Sequence, residues 1–463
     1  METLLKKNSF VATRNACKMC APLGASLAFK GIEGCVPLIH GSQGCATYVR
    51  RYLISHFKEP MDIASSNFTE ESTIFGGGQN LKRALDNIKK QYHPKVVGIS
   101  TTCLSETIGD DVDGALQDYA RECGESDKTT YIHAQTPSYQ GSHADGFHEA
   151  VAAAVKRYAV KGESNDKTVL LAGFMSPGDL RYLKEVMREF RMSYVLLPDY
   201  SETMDNPHWD EYKLLPEGGT KIADIADAGS AKTFIQFGEV LNKGRLSGRV
   251  SGDHSVTSAG DILEKQFDIP GFRIPFPIGI KNSDTYFETL RQISGNDIPE
   301  EIAKERGRLI DAYVDGHKYL FGKKAMIYGE EDFVIALTAF LTEIGIDPVI
   351  IASGGESKLF EKRVRENKGT ENSLVLTGGD FETMAERARE IKPDIIIGHS
   401  KGYYIARELS IPIVRIGFPV HDRVGGQRIL HLGYKGTHNL FDLITNAIIE
   451  YKQDNSPVGY KYM

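Results

Sequence analysis

Six cysteines, Cys17, Cys20, Cys35, Cys45, Cys103 and Cys123, lie within the first 123 residues, and the rest of the 463-residue chain has none. Thiols used only for packing would be scattered along the chain, so this crowding points to metal or redox chemistry in its first quarter. Cys17 and Cys20 form "CKMC", but no second CxxC and no histidine pair at finger spacing follow, which leaves a zinc ribbon or finger without its ligands. A thioredoxin-type pair follows a strand and opens a helix, whereas this one sits in an N-terminal arm before Ala21-Pro22. Iron–sulfur centres offer a further reading, since they take thiolates from separated loops. Cys20 in "CAPLGA", Cys45 in "HGSQGC" and Cys103 in "STTCLSE" share small-residue turn surroundings. Gly24, Gly41 and Gly44 beside them would let the backbone approach a bulky inorganic group. Each thiol taken singly also suits a buried small residue. Cys35, in the apolar "GIEGCVPLI", is expected in a core strand and Cys123, in "ARECGES", at a helix end; Cys17 is ambiguous, core thiol or spare ligand.

Other chemistries are weaker. "TPSYQGSH" places Ser138 and Ser142 near His143, but no GxSxG elbow is present. "GGGQN" at Gly76 lacks the dinucleotide order, and no GxxxxGK[ST] occurs. "GHSKG" (398–402) follows an apolar run like a phosphate-type loop, without further nucleotide signals. "VRRYLISHFKEP" sets Arg50 and Arg51 just beyond Cys45; it reads as a helix with a solvated basic edge and Tyr52, Leu53 and Phe57 packed inward.

The elements that must position these residues recur along the chain. "HPKVVGISTTCLSETIGDDVDGAL", "KTVLLAGFMSPGDLRYLKEVMREF", "KKAMIYGEEDFVIALTAFLTEIG" and "KPDIIIGHSKGYYIAREL" each join a short β-branched run, a small-residue turn and a helical period. Near-continuous apolar runs suit parallel strands buried on both faces, and strands alternating with helices imply βαβ units. "GNDIPEEIAKERGRLIDAYVDGHKYLFG" predicts a long amphipathic helix starting near Pro299. With breaks near "KRYAVKGESNDK" and "GFRIPFPIGIKNSDTYFETL", the fold expected is α/β, with three Rossmann-like domains over 1–160, 161–290 and 291–463. Such domains bind ligands at the carboxyl ends of their strands, and Cys103 stands right after the run VVGIS.

The net charge of −7, from 55 basic and 62 acidic residues, lacks the basic excess of a nucleic-acid binder. No apolar run reaches the ~18 residues of a membrane span, and the first residues carry no secretory pattern. A cytoplasmic protein with reduced thiols is expected.

Taken together, "PLGASLAFKGIEGCVPLIHGSQGCATYVRRYLISHFKEP", "SSNFTEESTIFGGGQNL", "TTCLSETIGDDV", "TPSYQGSH", "MSPGDLRYLKE", "LPDYSETMD", "ERGRLIDA", "YGEEDFVIAL" and "IPIVRIGFPVHDRVGGQR" resemble, in order, the β-type subunits of the nitrogenase component-1 superfamily. The resemblance implies three Rossmann-like domains and an α-type partner, with two αβ pairs forming a heterotetramer. It implies an iron–sulfur cluster at each αβ interface, of 4Fe-4S or P-cluster type. The ligands from this side would be Cys20, Cys45 and Cys103, with Ser138 of "TPSY" beside the cluster and able to ligate it. An ATP-dependent iron protein would supply electrons, and the iron–molybdenum cofactor or its precursor would be held mainly by the α-type chain. The chain would act only with that partner. The segment around Cys35 looks most like the scaffold on which the cofactor precursor matures, and that role is the expectation. "TTCLSETIGDD" and the full cysteine set look more like the catalytic β subunit of nitrogenase, or of a related reductase of substrates such as methylthio-alkanes.

Overall fold

The computed structural model describes residues 15–124, 128–241 and 257–457. Among the described residues, thirteen strands form three parallel sheets in succession along the chain. The first holds β1 (Cys35–His40), β2 (Ala64–Ser65), β3 (Val96–Thr101) and β4 (Thr130–Ala134), in spatial order β2-β1-β3-β4. The second holds β5 (Thr168–Leu171), β6 (Tyr194–Leu197), β7 (Thr233–Phe237) and β8 (Gly271–Ile274), in order β6-β5-β7-β8. The third holds β9 (Lys324–Gly329), β10 (Asp347–Ser353), β11 (Leu374–Thr377), β12 (Ile395–Gly398) and β13 (Ile413–Arg415), in order β11-β10-β9-β12-β13. In each, the chain starts on an inner strand, fills one side, then crosses back to fill the other. The crossover leaves a switch point between β1 and β3, β5 and β7, and β9 and β12, where loops diverge and a crevice opens.

The apolar runs behave as buried parallel strands. Every residue of β1, β3, β5 and β7 is buried, and β1 and β3 pair in register from Cys35↔Val96 to His40↔Thr101. Cys35 therefore lies in a core strand, and Cys123 ends the helix Val112–Cys123, as expected. The long helix runs over Glu300–Leu320 with Pro299 at its N-cap, and the final helix, Gly433–Asp454, returns along it. Among the described residues no helix is long and apolar enough to cross a membrane.

One helix matters most for the cysteines. All ten residues of Ala21–Lys30 are buried, and it packs against His143–Tyr158. The two backbones nearly touch. A Cβ on Gly24 would meet the His143 carbonyl oxygen at 1.7 Å, and one on Gly146 the Ala21 carbonyl oxygen at 1.9 Å. Gly24 thus serves a helix crossing rather than an inorganic group. Gly41 likewise makes room for the Thr102 side chain, which a Cβ would meet at 2.4 Å.

A candidate thiolate site at the carboxyl edge of the first sheet

Cys45, Cys103 and Ser138 come from the loops that follow β1, β3 and β4, three neighbouring strands, and Cys20 joins them from the arm before the first helix. Cys45 and Cys103 flank the switch point itself. Each thiol sits at a helix start. Cys20 is the N-cap of Ala21–Lys30, Cys45 lies in the first turn of Gln43–Phe57, and Cys103 opens the single turn Cys103–Thr107. Unpaired amides and the dipole at such a position favour a thiolate and any anionic group bound to it. The caps leave the thiols available. Cys20 makes no capping bond through its side chain, and Thr102, not Cys103, closes a capping box with Ser105.

The loops are tied to one another. The Thr102 hydroxyl donates to the His40 carbonyl (3.2 Å), locking the end of β1 to the Cys103 turn. The Thr136 hydroxyl donates to the Thr101 carbonyl (2.7 Å), fixing the Ser138 loop to β3. Ser138 then bridges two cysteine segments: its amide donates to Cys103 Sγ (3.2 Å), and its Oγ accepts the Ala21 amide (3.1 Å). The Ser42 hydroxyl donates to Cys45 Sγ (3.6 Å). Burial pushes the Cys20 thiol up, opposed by the Ser138 hydroxyl, and the Cys103 and Cys45 thiols add to the rise, so the three groups share one field. Cys20 and Cys45 are half-buried and Cys103 is exposed, so the site opens on a face of the chain.

Cys17 and Cys35 stand apart. Both are buried, and burial pushes each thiol up to about 12, which keeps them protonated and inert. The arm carrying Cys17 crosses to the third sheet, where its amide donates to the Gly379 carbonyl (3.1 Å), and its thiol packs with Met326, Tyr328 and Phe381. The open question of Cys17 resolves as core. In Gln43–Phe57, Leu53 and Phe57 are buried as expected, Arg51 is exposed, and Arg50 donates to the Met61 carbonyl (3.0 Å).

Among the described residues no three His, Cys, Asp or Glu side chains are grouped tightly enough to hold a single metal ion. The three thiols, on separate loops, are soft donors of the kind that iron–sulfur centres take. One feature escaped sequence reasoning. Asp110 accepts from His40 Nε2 (2.7 Å) and from the Gly77 amide (3.0 Å), joining the cysteine loops to a helix tip where Ile74 and Phe75 stand 74% and 82% exposed. The "GDD" after Cys103 was its only trace in the sequence. Where the three sheets converge, Phe57, Phe174, Phe276, Phe333 and Phe418 close in around a cavity of about 30 Å³, room for about one water.

A three-sheet parallel α/β chain with thiols gathered at a switch point defines the class. The comparisons then give the family. The family model for nitrogenase component 1 type oxidoreductases matches residues 20–449, and the chain belongs to that family. It is 37% identical to the nitrogenase molybdenum-iron protein beta chain of Clostridium pasteurianum, over 94% of this chain and 93% of that one. It is 34% identical to the nitrogenase vanadium-iron protein beta chain of Trichormus variabilis, over 98% of both. The solved structure "Nitrogenase Cp1 at pH 6.5" superposes with a TM-score of 0.92 at 35% identity, over all of this chain and 98% of that one. The chain is a β subunit of a nitrogenase-type component 1.

Proposed function

We propose that this chain is an electron-relay β subunit. Cys20, Cys45 and Cys103 would hold one face of an iron–sulfur cluster, of 4Fe-4S or P-cluster type, that an α-type partner completes from the other side in an α2β2 heterotetramer. The observation that carries this reading is the convergence of all three thiols and Ser138 at one switch point, with the site open on a face. When bound, such a cluster takes up and passes on single electrons. The chain's own contribution is to fix the donors. The Ser138 amide donates to Cys103 Sγ, and the Ser138 hydroxyl opposes the burial that pushes the Cys20 thiol up.

The exposed Ile74–Phe75 tip, tied to the Cys103 loop through Asp110, suits a docking protein such as an ATP-dependent iron protein. The junction filled by aromatic rings supports placing the iron–molybdenum cofactor or its precursor mainly in the α-type chain. Three domains around the three sheets, in a cytoplasmic complex without nucleic acid or membrane, complete the reading. The division expected at 290 falls inside the helix Ile280–Ser294, so we place it at Gly295, whose φ of 72° ends that helix.

The names of the relatives weigh toward the relay role. The second reading, a scaffold for cofactor maturation, is favoured by the "PLGASLAFKGIEGC" segment. Assaying the anaerobic heterocomplex with its iron protein and ATP separates the two. Steady acetylene reduction is expected, and organosulfur reduction in its place would identify a related reductase. A complex that reduces neither, yet hands cofactor to another apo-complex, would overturn the relay reading in favour of the scaffold.

A further inference from the structure

The "GHSKG" loop lies outside the sheet that carries the thiols. It follows β12 as a 3₁₀ turn, Ser400–Gly402, in the third sheet's unit. It does not form an anion cradle: the Ser400 hydroxyl donates to Asp422 (2.5 Å) and accepts the His421 amide (3.0 Å). Lys401 instead reaches toward the first sheet. Its Nζ donates to the Ala16 carbonyl (3.4 Å) and lies 5.8 Å over the ring of Tyr52, on the helix that carries Cys45.

Among the described residues no carboxylate pairs with this half-buried ammonium. The groups whose fields it shares include the thiols of Cys17 and Cys20 and the imidazoles of His143, His399 and His421. The carboxylates on either side in sequence are engaged elsewhere: Asp394 accepts the Lys324 amide (2.8 Å), Glu408 pairs with Arg389 (2.6 Å), and Asp422 is held by Arg415 (2.7 Å) and Ser400. A carbonyl and a ring offset only part of the cost of drawing a cation partly out of water, and an anion nearby would offset the rest. Burial pushes the Lys401 ammonium below its ordinary value, and the two thiols oppose that fall. Cys17 lies buried in the core, whereas the arm whose Ala16 carbonyl Lys401 holds leads on to Cys20, and the Tyr52 ring it covers lies on the helix of Cys45.

We propose that Lys401 is an electrostatic positioning residue of the thiolate site, a fixed cation that offsets the negative charge of the iron–sulfur cluster and raises its reduction potential. The proposal rests on Cys20, Cys45 and Cys103 being the ligands. Each one-electron reduction adds a negative charge at the site, and a nearby cation favours the reduced form.

The test is a redox titration of the anaerobic heterocomplex, followed by electron paramagnetic resonance, for wild type, Lys401→Gln, Lys401→Met and Lys401→Arg. Lys401→Gln and Lys401→Met are expected to lower the reduced-to-oxidised ratio at fixed potential about tenfold, a negative shift of about 59 mV for a one-electron couple. Lys401→Arg should keep the wild-type value. Loss of iron in the neutral variants but not in Lys401→Arg would also support a requirement for charge. Unchanged potentials with iron intact, or loss of iron in all three variants, would overturn the role of Lys401 while leaving the ligand assignment standing. A wild-type complex without iron would instead remove the reading on which the proposal rests.

Discussion

Cysteines of one chain differ in chemistry because their backbones put them in different media. Cys35 lies inside β1 and Cys17 under the third sheet, where burial holds both as thiols. Cys20, Cys45 and Cys103 sit at helix starts on an open face. Alkylation of the isolated chain should therefore modify Cys103 quickly and Cys35 last, as read by peptide mass spectrometry, and the α-type partner should protect Cys103. A second prediction concerns Asp179, whose buried carboxylate accepts from His431 Nδ1 (2.8 Å) and from the amides of His431 (2.7 Å) and Ser176 (3.2 Å). Asp179→Ala strands these donors and is expected to cost about 3–5 kcal/mol in urea unfolding. The grouping of Cys20, Cys45 and Cys103 was legible because each follows or opens a regular element. Cys17 was not, because its surroundings come from residues more than 300 positions away.

At the scale of elements, alternation of apolar runs and helical periods sufficed for β1, β3, β5, β9 and β12. Their burial on both faces makes the sequence nearly continuous in apolar residues. The purpose of Gly24 was illegible for the opposite reason, since a glycine beside a cysteine looks the same whether it admits a cluster or another helix. The crossing of Ala21–Lys30 over His143–Tyr158 admits no side chain there. Gly24→Val should lower stability by about 1–3 kcal/mol or more and displace Cys20 with its helix. The measurement is the thermal midpoint together with bound iron, and a variant with both unchanged would contradict the packing role.

The whole molecule is held at the junction of its sheets by imidazoles kept neutral. His56 Nδ1 accepts the Val420 amide (2.9 Å) and His143 Nδ1 the Met19 amide (3.3 Å), so each ties distant segments together. Burial depresses both to about 3 from an ordinary 6.5. The unfolded chain binds protons that the folded chain refuses. The stability these groups contribute is therefore complete above pH 6.5 and is lost as pH falls from 6.5 toward 3. Urea midpoints should fall between pH 7 and pH 5, and less so in His56→Asn. The central claim, that three thiols of this chain hold an iron–sulfur cluster, is tested most directly by iron and sulfide analysis with visible absorption on the anaerobic heterocomplex. The wild type and Cys35→Ala should carry iron, sulfide and charge-transfer bands, and Cys20→Ala, Cys45→Ala and Cys103→Ala should each lose or alter them. A colourless, iron-free wild-type complex, or spectra indifferent to all three substitutions, would contradict it.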